Sequence, residues 1–422
     1  MEILISALLP YYSLRTIGEL FPRITGWQKW MSGISKNICS LCVAILFTLV
    51  ITMFFKPNKS IAAADLGQQI PIFDDGTDIR VPVTVFGETR YFLLDTGFTV
   101  SAMDRQYKPQ LGEAVSQYRV STPLDANEAM PIYLCPEITI GGRQAELDKI
   151  SCLDLTLARL ISGQPCDGVL GMDFFAKNVV SIDFDKKVLS MSAKVPATVE
   201  GSSIVIPLTP LFQHYAVEVL INETKNLDLL IDTGDNSSVS LNSKDWQDVF
   251  SNDQTNVFTA TIAGINNQVV QSKIGRIELF AIQGRGYTNL HAAFIRNLSD
   301  PSHLGLNFFR RHKVTFDFAN QKLYLQPGRQ FAMVDKEDMS GLHLLRRDGE
   351  TFVYSVDNNS PAFAAGIGAN DVIMSVDGRV ASSMTMNEIR NVLQSKDGEK
   401  INFEIRRGEN RLQFGIILKK KI

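Results

Sequence analysis

Two short stretches of the 422-residue chain carry side chains able to do chemistry. They are Asp95-Thr96-Gly97 within "FLLDTGFTV" (92–100) and Asp232-Thr233-Gly234 within "LLIDTGDNS" (229–237). In each, three apolar residues run into a carboxylate, a hydroxyl and a glycine. One such triplet is an ordinary turn, because Asp bonds nearby backbone and Gly tolerates unusual φ. Two carboxylates held about 3 Å apart are different, since both cannot ionise easily and one pKa rises while the other falls. Such a pair can take a proton from water and give one to a carbonyl oxygen, with neither metal nor covalent nucleophile.

Whether the triplets meet depends on the elements that position them. From about 68 to 328, short apolar-rich runs such as "IRVPVTVFG" (79–87) and "YAVEVLINE" (215–223), broken by Gly, Asp and Asn, predict strands. The triplets also belong to a longer repeat. "DGVLGMDFFAKNVVSIDFDKKVLSM" (167–191) matches "SHLGLNFFRRHKVTFDFANQKLYL" (302–325) through Leu-Gly-x-x-Phe-Phe and the x-Asp-Phe that follows. The interval from Asp95 to Gly171 nearly equals that from Asp232 to Gly305. Turn statistics do not generate two such copies, so the region is an internal duplication.

The pattern resembles the aspartic proteases, specifically bacterial relatives of the retroviral and pepsin-like enzymes with both lobes in one polypeptide. The resemblance covers roughly 68–328. It implies a mostly β chain with two tandem aspartic-protease-type lobes, 68–197 and 203–328, forming a pseudo-dimer. Each lobe would lend one catalytic carboxylate, Asp95 and Asp232, to hydrolysis of a peptide or protein substrate. Thr96 and Thr233 would buttress the loops by hydrogen bonds, and Gly97 and Gly234 would let the backbone turn tightly beside the carboxylates. Val169-Leu170-Gly171 and His303-Leu304-Gly305 would cross behind those loops. Flap hairpins are expected in 116–132 and in 258–273, the latter with a turn at Gly264-Ile265-Asn266-Asn267.

The chain departs from the family directly after the triplets, where Ala or Ser is usual and Phe98 and Asp235 stand instead. Either Phe98 narrows the cleft and Asp235 brings a third carboxylate to the pair, or both side chains point away. His303 replaces an aliphatic residue.

After "LQPGRQFAMVDKED" the pattern changes. "SPAFAAGIGANDVIMSVDG" (360–378) joins a Ser-Pro helix start, a strand from Val372 to Val376 and an Asp-Gly turn, and it resembles a PDZ domain over 335–422. That resemblance implies capture of a protein or peptide C-terminus by backbone amides of the loop Met339-Ser340-Gly341-Leu342. The peptide would add as a strand beside His343 to Arg347 and below a helix from Met384 to Gln394. Ser340, Gly341, Leu342 and His343 are therefore the candidate peptide-binding residues. The alternative is a PDZ fold that only packs on the protease.

Within segment 1–64, Ile38 to Phe55 lacks any charge, a length at the lower edge of a membrane span. Basic residues before it weakly favour a cytoplasmic N-terminus and place the remainder across the membrane. A second reading takes Met31 to Ala64 as a signal peptide ending in Ala62-Ala63-Ala64. Both put the protease and PDZ regions outside the cytoplasm, in a periplasm or at a cell surface, tethered to the membrane through 38–55 or released.

Net charge of −3 with 21% charged residues offers no basic face for nucleic acid. Five His without HExxH, and no CxxC spacing outside 38–55, imply no metal and no cofactor. No Gly-x-Ser-x-Gly suggests a serine hydrolase. Among Cys135, Cys152 and Cys166, a Cys152–Cys166 disulfide and three unpaired core thiols both stay open. The expected function is an aspartic endopeptidase, and the alternative is a catalytically inactive, protease-like peptide-binding protein.

Overall fold

The computed structural model describes residues 68–121, 127–250, 257–263, 269–295 and 301–421. Segment 1–64, with its expected membrane or signal helix, lies outside them, as does the expected turn at 264–267. Among the described residues no helix is long and apolar enough to cross a membrane.

These residues are mostly β. Along Ile79–Val85, the side chains of Ile79, Val81, Val83 and Val85 alternate into the core, and on the paired strand Glu88–Leu94 Phe92 and Leu94 join them. A period of two puts every second side chain on one face, and β-branched residues suit that pleated surface.

The repeat found in the sequence recurs in strand register. Glu88–Leu94 lies parallel to Gly168–Leu170, which lies antiparallel to Ala102–Asp104. In the second copy, Lys225–Asp232 lies parallel to His303–Gly305, which lies antiparallel to Val239–Leu241.

A further sheet joins the copies in the order Ile70–Pro71, Val188–Ser192, Val179–Asp183, His312–Asp317, Lys322–Pro327, Ile204–Pro207. At one edge Ile70 faces Leu189 and Pro71 faces Val188; at the other Ile206 faces Leu323 and Pro207 faces Lys322. In the middle, the equivalent residues Ser181 and Thr315 face each other, with their hydroxyls hydrogen-bonded at 2.7 Å. A position that pairs with its own counterpart marks a local two-fold axis. One buried apolar cluster runs through the region from Ile70 to Leu325.

Antiparallel strand pairs form in both regions expected to hold hairpins. Ser116–Ser121 pairs with Asn127–Leu134, and Val257–Ala263 pairs with Val269–Ile282. The second extends beyond 273 because Val269–Ile282 also pairs with Arg285–Phe294.

The C-terminal sheet has Leu342–Arg347 at one edge, followed by Glu350–Val356, Val372–Val376, Lys400–Arg407 and Asn410–Ile417, over its own core from Met339 to Leu418. Ser360 caps the short helix Pro361–Ala364, its Oγ accepting from the Phe363 N–H. Helix Met386–Leu393 opens with a reciprocal capping box between Thr385 and Glu388. It is shorter than the expected 384–394, because the cap at Thr385 fixes its start and Gln394 leaves the helical conformation.

Cys135, Cys152 and Cys166 are free thiols, which removes the disulfide reading. Cys166 packs with Phe98, Ala102 and Val169, whereas Cys152 belongs to the main core. Burial pushes the Cys166 thiol up to about 12.

Candidate active site

Each Asp-Thr-Gly loop starts where its strand leaves the parallel pairing. The Asp95 N–H donates to Leu170 O at 3.0 Å, and Asp232 pairs in register with Gly305. Gly171 and Gly305 press against the loops from behind. A Cβ on Gly171 would lie 2.5 Å from Phe98 O, and one on Gly305 2.3 Å from Ser237 O. That contact explains the glycine in both Leu-Gly motifs.

The two loops meet across the local axis through their threonines. The Thr96 N–H donates to Thr233 Oγ1 at 3.0 Å, and the Thr233 N–H donates to Thr96 Oγ1 at 3.0 Å. Each hydroxyl then donates onward, Thr96 to Ile231 O at 2.9 Å and Thr233 to Leu94 O at 2.8 Å. All four groups are buried and all are satisfied, so the loops have one mutual arrangement.

Gly97 and Gly234 were expected to serve the turn, but neither has a left-handed φ. Their requirement is space. A Cβ on Gly97 would sit 2.5 Å from the Asp232 carboxyl, and one on Gly234 2.4 Å from the Asp95 carboxyl. Each glycine makes room for the acid of the opposite loop, which lets the two carboxyls approach one another.

Burial and then the neighbouring Asp232 charge push Asp95 well above the carboxylate range, against the Gly97 N–H, which donates to Asp95 Oδ1 at 2.9 Å. Burial raises Asp232 too; His303 pulls against that rise and Asp235 adds to it. His303 Nδ1 lies 3.3 Å from Asp232 Oδ2 and 3.5 Å from Asp235 Oδ2. Burial opposes ionisation of Asp235, but His303, Ser240 and the Ser237 N–H outweigh it and hold the carboxyl below its usual range. Asp235 therefore does bring a third carboxylate to the pair.

Phe98 is buried in a cluster with Leu155, Cys166 and Val169, against which Met130 and Ala158 pack. His214, which sequence reasoning missed, sits behind the first loop. Its Nδ1–H donates to Thr96 O at 3.1 Å, which leaves Nε2 to accept from Thr99 Oγ1 at 3.0 Å. Burial holds its pKa below the usual value. The sequence carried no signal for His214, but the histidine in "HLG" was visible as a departure from the aliphatic residue of "VLG".

The expected peptide loop of the C-terminal module is already occupied by its own side chains. The Ser340 and Gly341 N–H groups donate to Asp338 Oδ1 at 2.9 and 2.7 Å, and the Leu342 N–H donates to Ser340 Oγ at 3.0 Å. Gly341 has φ +79°, and a Cβ there would strike Ser360. His343 Nε2 lies 2.7 Å from Asp357 Oδ1, and Lys421 Nζ 3.1 Å from Asp357 Oδ2.

Among the described residues no group of His, Cys, Asp and Glu is arranged to hold a metal ion.

Residues 81–174 match the aspartyl protease family model, and 328–418 match that of the PDZ domain. Solved structures similar to parts of the chain include a retropepsin-like aspartic protease from Rickettsia conorii, at 21% identity over 29% of this chain and 89% of that one, with a TM-score of 0.25. No curated protein matches. The chain thus carries an aspartyl protease domain over 81–174 and a PDZ domain over 328–418.

Proposed function

We propose that the chain is an aspartic endopeptidase in which Asp95 and Asp232 activate water, the second repeat supplying the second lobe and the second acid. The observation that carries this reading is the reciprocal threonine lock, which joins the two Asp-Thr-Gly loops and sets each glycine against the opposite carboxyl. The pair titrates as a unit. Its electrostatics favour the proton on Asp95 and the charge on Asp232, because only Asp232 has His303 beside it.

In hydrolysis the ionised acid takes a proton from water as the oxygen attacks the peptide carbonyl. The protonated acid gives its proton to the carbonyl oxygen, forming a gem-diol. The acid that took the water proton then gives it to the amide nitrogen while the other takes a proton from a gem-diol hydroxyl, so that the C–N bond breaks, the carboxyl product forms and the pair is again singly protonated. The hairpins at 116–134 and 257–282 are the flaps that close over substrate, and the PDZ domain binds protein C-termini. The uncharged stretch 38–55, as anchor or signal, supports an extracytoplasmic setting for this activity.

Asp95→Asn and Asp232→Asn test the reading against a peptide library. Each is expected to abolish cleavage with the fold intact, and cleavage at the parent rate by both overturns it. Binding of a statine-type transition-state mimic that is lost at high pH separates an enzyme from a peptide-binding protein.

A further inference from the structure

Strand Leu342–Arg347 forms the edge of the C-terminal sheet, with Glu350–Val356 on one side and no strand on the other among the described residues. That open side and helix Met386–Leu393 are the elements between which a PDZ domain takes a peptide. Here both touch helix Thr156–Ser162 of the protease domain.

The contact is built from specific residues. Arg390, on helix Met386–Leu393, donates through Nη2 to Ile161 O and through Nη1 to Thr77 Oγ1, each at 2.5 Å. Gly163 ends helix Thr156–Ser162 at φ +67°, and its missing side chain lets the backbone lie on the stem of Arg346, since a Cβ there would be 2.8 Å from Arg346 Cδ. Arg80, buried in the first repeat, pins the same segment by donating to Ser162 Oγ at 2.6 Å and Gln164 O at 2.8 Å.

The segment's other side faces the candidate active site. Leu155 shares a buried cluster with Phe98, the residue directly after Asp95-Thr96-Gly97, and Ala158 packs against that cluster. The Leu155 N–H donates to Asp104 Oδ2 at 2.8 Å, and Arg159 pairs with that carboxylate at 2.8 Å. One short helix thus touches the PDZ groove and the packing beneath the Asp95 loop.

We infer that segment 156–163 is the resident occupant of the PDZ groove, so that a protein C-terminus docks only by displacing it, and that this displacement is felt at Asp95 through Phe98. The occupied loop amides fit the same picture, because an incoming carboxylate must also take Ser340 and Gly341 from Asp338. Apparent peptide affinity is then the intrinsic affinity multiplied by the fraction of molecules with the segment withdrawn. The coupling to Asp95 rests on the peptidase reading; the competition does not.

Fluorescent decapeptides with free C-termini ending in Val, Leu, Ile or Phe, with their C-terminally amidated counterparts as control, are titrated into the full chain and its Arg390→Ala variant. Removing two hydrogen bonds from a charged donor favours withdrawal, so the variant should bind the free-carboxylate pool about tenfold more tightly. Hydrogen exchange in the parent should quicken over 156–163 when peptide is bound. Equal affinity in parent and variant, including no binding to either, overturns the competition, and so does unchanged exchange at saturation. These two readouts need no turnover, so their failure is distinct from absence of peptidase activity. With a separate quenched substrate, saturating C-terminal peptide should lower kcat several-fold, and an unchanged or increased kcat overturns the coupling.

Discussion

His303 Nδ1 lies 3.3 Å from Asp232 Oδ2, whereas the equivalent position of the first repeat is the apolar Val169. The pseudo-symmetric site is therefore electrically asymmetric. His303 faces Asp232 and Asp235 directly and works against burial to favour the carboxylate form of Asp232.

Replacing His303 by Asn keeps a donor near the Nδ1 position and removes the charge; Leu removes both. Without the cation Asp232 ionises less readily, so the acid limb of the kcat/KM profile should move up by roughly one pH unit in both variants. Profiles coincident with the parent would show that His303 only fills space. Loss of cleavage in Asp95→Asn tests the acid pair itself, separately from this tuning.

Thr96→Val keeps the shape of the side chain but leaves the buried Thr233 N–H and Ile231 O without partners. Two unsatisfied groups should cost about 2–4 kcal/mol in urea unfolding, while Thr96→Ser should cost under about 1 kcal/mol. The Thr96→Val/Thr233→Val double variant should lose less than the sum of the single losses, because both act on one network.

Gly97→Ala and Gly234→Ala each drive a methyl into the opposite carboxyl, with no backbone strain at either position. Peptidase activity should fall by about a hundredfold or more while circular dichroism stays native, since small displacements of reacting groups are that costly. Near-parental kcat/KM would mean the two acids do not work as a pair.

Asp357 provides a pH test within the PDZ domain. Burial opposes its ionisation, but His343 and Lys421 outweigh that and hold its pKa below the usual carboxylate value. A folded-state pKa below the unfolded value of about 3.9 gives stability that is fully present above that pH and lost as pH falls through the folded value. Asp357→Asn should therefore cost about 1–3 kcal/mol at pH 7, and the difference from the parent should close in strong acid. A pH-independent difference would assign the effect to packing.

Phe98→Ala removes an aromatic ring from the cluster with Leu155, Cys166 and Val169. The expected cost is about 3–5 kcal/mol in chemical unfolding, the range for a buried Phe. A cost below about 1 kcal/mol would place the ring outside any packed core.

The repeat, the strands and both triplets were legible in the sequence because alternation and duplication are written in the order of residues. The purpose of Gly97 and Gly234 was not, because the atoms that exclude a Cβ belong to the other loop. The motif position of Phe98 allowed it either to enter the cleft or to point away, and its surroundings are set in part by a helix some sixty residues downstream. The PDZ loop residues were found where the motif put them, yet nothing in their order showed that Asp338 takes their amides or that 156–163 covers the adjacent strand. Local pattern reveals which face of an element is apolar; which partner covers that face is decided by the assembled chain.

The Ser181–Thr315 pairing has a consequence for how the chain could be divided. Each edge strand of the joining sheet pairs with a strand of its own repeat, so no strand is exchanged between them. A cut at the exposed Gly201-Ser202 turn would leave two polypeptides held by the shared apolar core, the central ladder, the threonine lock, the Arg310–Asp74 pair at 2.9 Å and the Arg390 contacts to Ile161 and Thr77. Their reunion would be bimolecular, and dilution alone would then switch off a site that the continuous chain keeps assembled at any concentration.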